Sequence, residues 1–305
     1  MIAVITGGTS FIGAALSKCL LDAGVVCYAI VRPESKRISA FPQGYPGLHI
    51  VRGRLDSPET WVGEIPKCDA FFHFAWDGVS AKGRADPNIQ HSNVGMAIMC
   101  LKTAARLGTK RFVFSGSQAE YGLIDGPITE DSPCTPVIEY GKGKLQFLGE
   151  AEKLCEELGI EYVHLRIFSV YGPGDHPWTL VSQCLESFTQ DRVIELTSCE
   201  QTWNFLHVED AARAIYQLAN CDLKGQHVFN IAGDENIPLY RYVDIMWHLC
   251  GNRGMPAYGR YANPVERIHG IEPSIDRLKR VTGWQPQISF EDGIREMIGN
   301  MEDGL

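Results

Sequence analysis

VITGGTSFIG, residues 4–13, joins a short apolar run to a segment of helical period through a turn holding two consecutive glycines. The run itself, IAVIT (2–6), has the length and β-branched content of a buried strand. SFIGAALSKCLLDAG (10–24) then repeats apolar residues at helical spacing and closes on Gly24, where a helix commonly stops. A strand, a tight turn and a helix N-terminus form an anion cradle, because free amides and the helix dipole face the turn. A dinucleotide pyrophosphate needs that arrangement, and Gly7, Gly8 and Gly13 supply the bend, the close backbone approach and the helix–strand packing. Either spacing rule, GxGxxG or GxxGxxG, also asks for glycine at position 10, where this chain has Ser10.

Outward from the turn, short apolar runs alternate with helical segments, the pattern of a parallel sheet covered on both faces. Strands are predicted at VVCYAIV (25–31), LHIVRG (48–53), DAFFHFA (69–75), KRFVFS (110–115) and YVHLRIF (162–168). Helices are predicted near 57–65 and over 88–108 and 140–159. After Tyr171 a Gly/Pro-rich turn breaks this rhythm, and strands near 204–208 and 227–231 are expected to return to the main sheet, with a helix starting at Pro238. The expected fold is α/β: a doubly wound parallel Rossmann sheet with a smaller, discontinuous C-terminal substrate lobe. Residues 1–171 and about 204–236 form the dinucleotide-binding domain in this reading, and about 172–203 with 237–305 the lobe.

At 305 residues, 45% hydrophobic and 21% charged, the chain has the composition of a soluble globular protein. Its net charge of −9 argues against a nucleic-acid or membrane-surface partner. Ten cysteines, none closer than the eight residues from Cys19 to Cys27, offer no metal-ligand spacing, so no metal is expected. Most lie in apolar stretches as reduced thiols, which fits the cytoplasm. A strand beginning at Ile2 leaves no room for a leader, and no apolar run reaches the ~18 residues of a membrane span. No GxSxG elbow points to a hydrolase.

Two clusters carry chemistry. The second strand ends IVRPESKR, placing Arg32 where NAD-preferring proteins have an acid, with Lys36 and Arg37 behind it. A guanidinium there pairs with a 2′-phosphate, so NADP(H) is favoured over NAD(H), the alternative being that Glu34 takes the ribose. YGKGK then puts Tyr140 and Lys144 at i and i+4 on one helix face. An ammonium beside a phenol favours the phenolate and lowers a pKa otherwise near ~10, so Tyr140 can exchange a proton with a carbonyl or hydroxyl. Ser117 follows the fifth strand at the sheet edge where such folds bind ligands, and its hydroxyl can bond the substrate oxygen.

With TGGTSFIG, HFAW (73–76), SNVGMA, SGSQAEYG, YGKGK, RIFSVYGPGD (166–175), NFLHVEDAA (204–212) and RLKRVTGWQP (277–286), the whole chain resembles the extended short-chain dehydrogenase/reductase family. The match is to its nucleotide-sugar epimerase/dehydratase/reductase branch. The resemblance implies an NAD(P)-dependent enzyme with Ser117, Tyr140 and Lys144 as catalytic residues. It implies a cofactor site from Gly7, Gly8, Ser10, Phe11, Ile12, Gly13, Arg32, Lys36, Arg37, Leu55, His73, Phe74, Ala75, Asn93, Ser115, Tyr140, Lys144 and Phe168. Trp76, Ser117, Gln118 and Trp203 would meet the substrate, a nucleotide sugar. A homodimer through the helices around 87–107 and 140–158 is likewise implied by the resemblance.

Departures from the family pattern narrow the chemistry. Gln118 and Ala119 replace the Asp-Glu pair that 4,6-dehydratases use to eliminate water, which argues against dehydration. Ser169 stands where Asn often precedes VYG, and Trp203 and Asn204 where an Arg-Asp pair often helps hold the pyrophosphate. Arg54 replaces an Asp commonly found beside the adenine. His176 and Trp178, after the GPGD turn, could either line the sugar pocket or sit on a solvated loop. The favoured expectation is NADPH-dependent reduction of a 4-keto 6-deoxyhexose nucleotide, since SGSQAEYG resembles the 4-ketoreductases of deoxysugar pathways. The alternatives are a 4-epimerase with tightly bound NAD, a reductase of a non-sugar carbonyl, and a non-enzymatic scaffold, against which the intact triad argues.

Overall fold

The structure is a computed structural model that describes residues 1–42, 44–261 and 270–303. Seven parallel strands form the central sheet: β1 Ile2–Thr6, β2 Val26–Val31, β3 Leu48–Arg52, β4 Ala70–His73, β5 Arg111–Ser117, β6 Glu161–Ile167 and β7 Gln226–Ile231. Their order is β3-β2-β1-β4-β5-β6-β7. The order reverses between β1 and β4, which opens a crevice beyond the C-terminal ends of those strands.

Helix α1 (Phe11–Asp22) and the helix Val208–Asn220 cover one face of the sheet. Leu16, Leu20, Ala211 and Ile215 pack there against Ile5, Phe72 and Val113. Helices α2 (Pro87–Arg106) and α3 (Glu139–Leu158) pack on each other over the opposite face, where Ala97, Leu101, Phe147 and Ala151 meet Phe71, Phe112 and Tyr162. The predicted stop signals hold: Gly24, Gly108 and Gly159 all adopt left-handed φ.

A third core lies outside the sheet, built by Leu180–Thr189, Leu239–Leu249 and the C-terminal helix Phe290–Asp303. Tyr171, Phe205, Tyr242 and Phe290 form an aromatic cluster within it, ring to ring at 4.7–6.0 Å.

Two expectations are corrected here. The strand near 204–208 does not rejoin the main sheet. Leu206–His207 pairs with Val170–Tyr171 in a separate two-stranded ladder, and His207 caps the helix that starts at Val208. The segment near 57–65 forms two single 3₁₀ turns, Pro58–Thr60 and Val62–Glu64, separated by the fully buried Trp61. The Trp61 ring packs against Gly53, where a Cβ would overlap it. No helix among the described residues is long and apolar enough to cross a membrane, and all ten cysteines are free.

Candidate active site

A cavity of about 890 Å³ runs along the crevice from the first glycine turn to helix α3. Gly7 adopts φ +72, and a Cβ on it would collide with the Phe74–Ala75 backbone. The turn can therefore lie directly against the end of β4 only as glycine. Ser10 explains the broken fingerprint. Its φ of −76 is one any residue adopts, and its hydroxyl caps α1 by accepting from the Gly13 amide at 3.2 Å. Gly13 packs against the Gly7 carbonyl, and Gly8 faces the Phe41 ring; neither lines the cavity. Ser10, Phe11 and Ile12 bring the positive end of α1 to the cavity wall.

Farther along, Arg32, Lys36, Arg37, Arg54, Leu55 and three acids, Glu34, Asp56 and Asp77, share the wall. Arg54 bonds Asp56 through two 3.2 Å contacts, so much of its charge is answered locally. Arg32 reaches Asp77 at 3.7 Å, but both side chains are about two-thirds exposed and the pair is weak. Lys36 and Arg37 make no ion pair among the described residues. The positive end of α1, the backbone-tight Gly7 turn and these unpaired cations fit a phosphate-rich dinucleotide.

Phe74, Ala75, Trp76, Asn93, Ser115 and Phe168 also line the cavity. Asn93 spends its amide on the chain itself: it donates to the Asp77 carbonyl at 2.9 Å and accepts from the Asp77 amide at 3.0 Å. It fixes the loop after β4. Gln90, which sequence reasoning missed, holds the same loop by accepting from Trp76 Nε1 at 2.7 Å and donating to the Gly83 carbonyl at 2.8 Å. His73 sits inside the sheet, bonded to the Thr6 hydroxyl at 2.8 Å, and does not line the cavity. Burial, helped by the nearby Lys144, pushes its pKa down to about 3, so the ring stays neutral.

Ser117, Tyr140 and Lys144 converge on the inner end of the cavity. The spacing on α3 brings Tyr140 and Lys144 to one face, and Gly141 between them sets the helix against the 118–120 turn. A Cβ at Gly141 would overlap the Ala119 carbonyl oxygen. That close approach brings Tyr140 to the same cavity wall as Ser117.

Ser117 is held in turn by Glu120, whose carboxylate accepts from the Ser117 amide at 2.7 Å in a reciprocal cap. Glu120 is fully buried against His164 Nε2 at 2.9 Å and Arg166 Nε at 3.1 Å. Burial alone would push its carboxyl up. His164, Arg166 and the Ser117 amide outweigh that and hold it below the usual carboxylate range.

Lys144 has two neighbours besides the tyrosine. Its ammonium donates to the Ser115 carbonyl at 2.5 Å and lies 3.9 Å from the centre of the Trp76 ring, against 5.6 Å from that of Tyr140. Burial brings its pKa down to about 7, with Glu120 opposing. Tyr140 is raised by burial, and the cation that opposes this is Arg84. The guanidinium of Arg84 stands 4.8 Å over the centre of the phenol ring.

A second cavity, about 190 Å³, adjoins this point and is lined by Val79, Arg84, Ser117, Gln118, Tyr140, Ile167, Phe168 and Ser169. Gln118 thus faces the side pocket. His176 and Trp178, stacked at 4.3 Å, line the main cavity. Trp203 does not; it is half-buried, pairing with Ile237 in a short ladder. Among the described residues no group of acidic, histidine and cysteine side chains could hold a metal.

The sequence profile of the NAD dependent epimerase/dehydratase family matches residues 3–232. The chain belongs to that family. Among curated relatives, the UDP-glucose 4-epimerase of Azospirillum brasilense is 31% identical over 95% of this chain and 89% of its own length. The dTDP-4-dehydro-6-deoxyglucose reductase of Escherichia coli is 24% identical over 68% of this chain and 66% of its own. A crystal structure of UDP-glucuronic acid 4-epimerase from Bacillus cereus in complex with NAD superposes with a TM-score of 0.85. It covers 99% of this chain and 97% of its own at 19% identity, which shows the shared fold. The chain is an NAD(P)-dependent enzyme of the nucleotide-sugar epimerase and reductase type.

Proposed function

We propose that the enzyme catalyses net reduction of a 4-keto nucleotide sugar, with Ser117, Tyr140 and Lys144 as the reacting group of side chains. The observation that carries this reading is the convergence of Ser117, Tyr140 and the buried Lys144 on the cavity that Arg32, Lys36 and Arg37 also line. A bound nicotinamide supplies or accepts the hydride. The protein's part is proton and charge. Ser117 donates a hydrogen bond to the substrate carbonyl oxygen, and Tyr140 gives that oxygen its proton as charge develops on it. Lys144, fixed between Ser115 and Trp76, shapes the floor on which a cofactor ribose would rest. On this reading residues 1–171 and about 204–236 hold the dinucleotide, and about 172–203 with 237–305 hold the sugar nucleotide.

Lys36 and Arg37, together with the loosely paired Arg32, favour NADP(H), the cofactor pool that serves reduction. Arg32→Ala is expected to weaken NADPH binding about tenfold or more while changing NADH binding little, the difference of one charge-assisted contact. Fluorescence titration with both cofactors measures this, and equal losses would sink the 2′-phosphate assignment.

A second reading is a 4-epimerase, favoured by the 31% identical relative. The two readings part on stoichiometry. A reductase consumes one reduced cofactor per sugar turned over, followed by the loss of nicotinamide absorbance, whereas an epimerase shows no net consumption. A panel of 4-keto and 4-hydroxy nucleotide sugars offered with each cofactor decides between them. We propose a homodimer through α2 and α3, and residence in the cytoplasm; sedimentation of the purified enzyme tests the dimer.

A further inference from the structure

We propose that Arg84, in the small side pocket, reads a carboxylate on the sugar at C6, so that the substrate is a nucleotide-linked uronic acid. The proposal rests on the reading that Ser117 and Tyr140 hold the C4 oxygen, and it names the substrate class of that same site.

A hexose held by its C4 oxygen has two carbons next to the reacting one. C3 carries a hydroxyl, and C5 carries C6, whose substituent differs between sugars: hydroxymethyl, methyl or carboxylate. The diphosphate hangs from C1, at the opposite end of the ring. A side pocket that shares Ser117 and Tyr140 with the main cavity therefore meets a substituent beside C4 and not the diphosphate.

Three observations give that pocket its chemistry. Arg84 is the one charged residue on its wall, and among the described residues no acid pairs with it. Arg84 Nε and Gln118 Oε1, from two side chains of this wall, are both buried without a hydrogen-bond partner. Such groups cost stability until something answers them, and a carboxylate answers a guanidinium best. The guanidinium is also placed in advance. It lies 4.8 Å over the centre of the Tyr140 ring. Its backbone ends the turn Ala81–Arg84, where its amide donates to the Ser80 carbonyl at 2.8 Å and Gln90 ties the Gly83 carbonyl to α2 at 2.8 Å.

No acid opposes a bound carboxylate there. Glu120 is turned beneath the pocket onto the Ser117 amide, His164 and Arg166, and the remaining polar wall is Ser169. A 6-deoxyhexose, the class expected from SGSQAEYG, would bring a methyl group to the guanidinium and leave both polar groups unanswered. A hydroxymethyl could hydrogen-bond but not neutralise the charge.

The test measures binding by calorimetry to the enzyme loaded with reduced cofactor, a complex in which a 4-hydroxy sugar cannot react. The probes share one nucleotide, UDP or dTDP, and one ring, and differ only at C6: carboxylate, hydroxymethyl or methyl. The carboxylate is expected to bind about tenfold or more tighter than the other two, the size of one charge-assisted contact. Arg84→Met should erase that preference, and Arg84→Lys, which keeps the charge without the planar fork, should restore part of it. Equal binding of the three probes overturns the proposal, as does a preference that survives Arg84→Met. A loss in Arg84→Met shared equally by all three would make Arg84 a diphosphate contact and overturn it too. Net reduction fails separately: a uronic acid probe epimerised with no net consumption of cofactor would defeat that reading and leave the C6 preference standing. Arg84 is partly exposed on a four-residue turn, and methionine keeps most of its apolar stem, so both variants should fold.

Discussion

Tyr140→Phe is expected to lower turnover by about 10²–10⁴-fold, the range over which a positioned acid contributes to rate. Cofactor affinity should stay close to that of the unaltered enzyme. The phenol ring itself packs edge-on to Trp76 at 6.5 Å and under Arg84, contacts that phenylalanine retains. What disappears is the hydroxyl, and with it the proton. Loss of turnover with unchanged cofactor binding by fluorescence separates this from a collapsed site. If the variant turned over at a rate near that of the parent, proton donation would belong elsewhere and the reductase and epimerase readings would both lose their acid. Ser117→Ala should fall in the same direction by a smaller factor, since it removes one hydrogen bond and leaves the proton source.

The sheet was legible because its signals are local and repeated. Each strand is a short apolar run, and α1, α2 and α3 are each followed by a glycine in left-handed φ. The Leu206–His207 strand was misassigned because periodicity does not say which neighbour a two-residue strand will find.

At the site, Tyr140 and Lys144 were visible as a spacing and Ser117 as a strand end. The spacing fixes a shared helix face, but not the direction of a flexible four-carbon stem. Lys144 found a carbonyl and an indole ring near the tyrosine, and burial rather than the tyrosine governs its charge. Arg84 left no signal, since its turn is only four residues long and its partner ring is 56 positions away in sequence. The Ser10 anomaly, by contrast, dissolves once its φ is known, because the fingerprint asks for glycine and the local backbone does not.

Glu120→Ala is expected to cost about 3–5 kcal/mol of folding stability, the loss typical when one member of a buried ion pair is removed. The carboxylate is the shared acceptor of three donors that are themselves buried: the Ser117 amide, His164 Nε2 and Arg166 Nε. Arg166 has a further bond, to the Glu130 carbonyl at 3.2 Å, and lies over the Tyr121 ring, but neither neutralises its charge. Deleting the carboxylate therefore strands a guanidinium in the core. Glu120→Gln should cost less, because an amide oxygen can still accept from one of the donors, although the opposing charge is gone.

The pH dependence follows from the sign of the perturbation. A carboxyl held below its unfolded value of about 4.3 stabilises the fold fully above that pH, and the stabilisation is lost as pH falls through the folded pKa. Denaturant titrations of the parent and Glu120→Gln should converge as the buffer is made acidic, and curves that stay parallel would show that Glu120 is not ionised in the fold. The same carboxylate fixes the Ser117 backbone through the reciprocal cap, so the loss should reach the chemistry as well. In Glu120→Gln, turnover is expected to fall further than substrate affinity, because the displaced Ser117 hydroxyl acts on the oxygen that gains charge during the reaction.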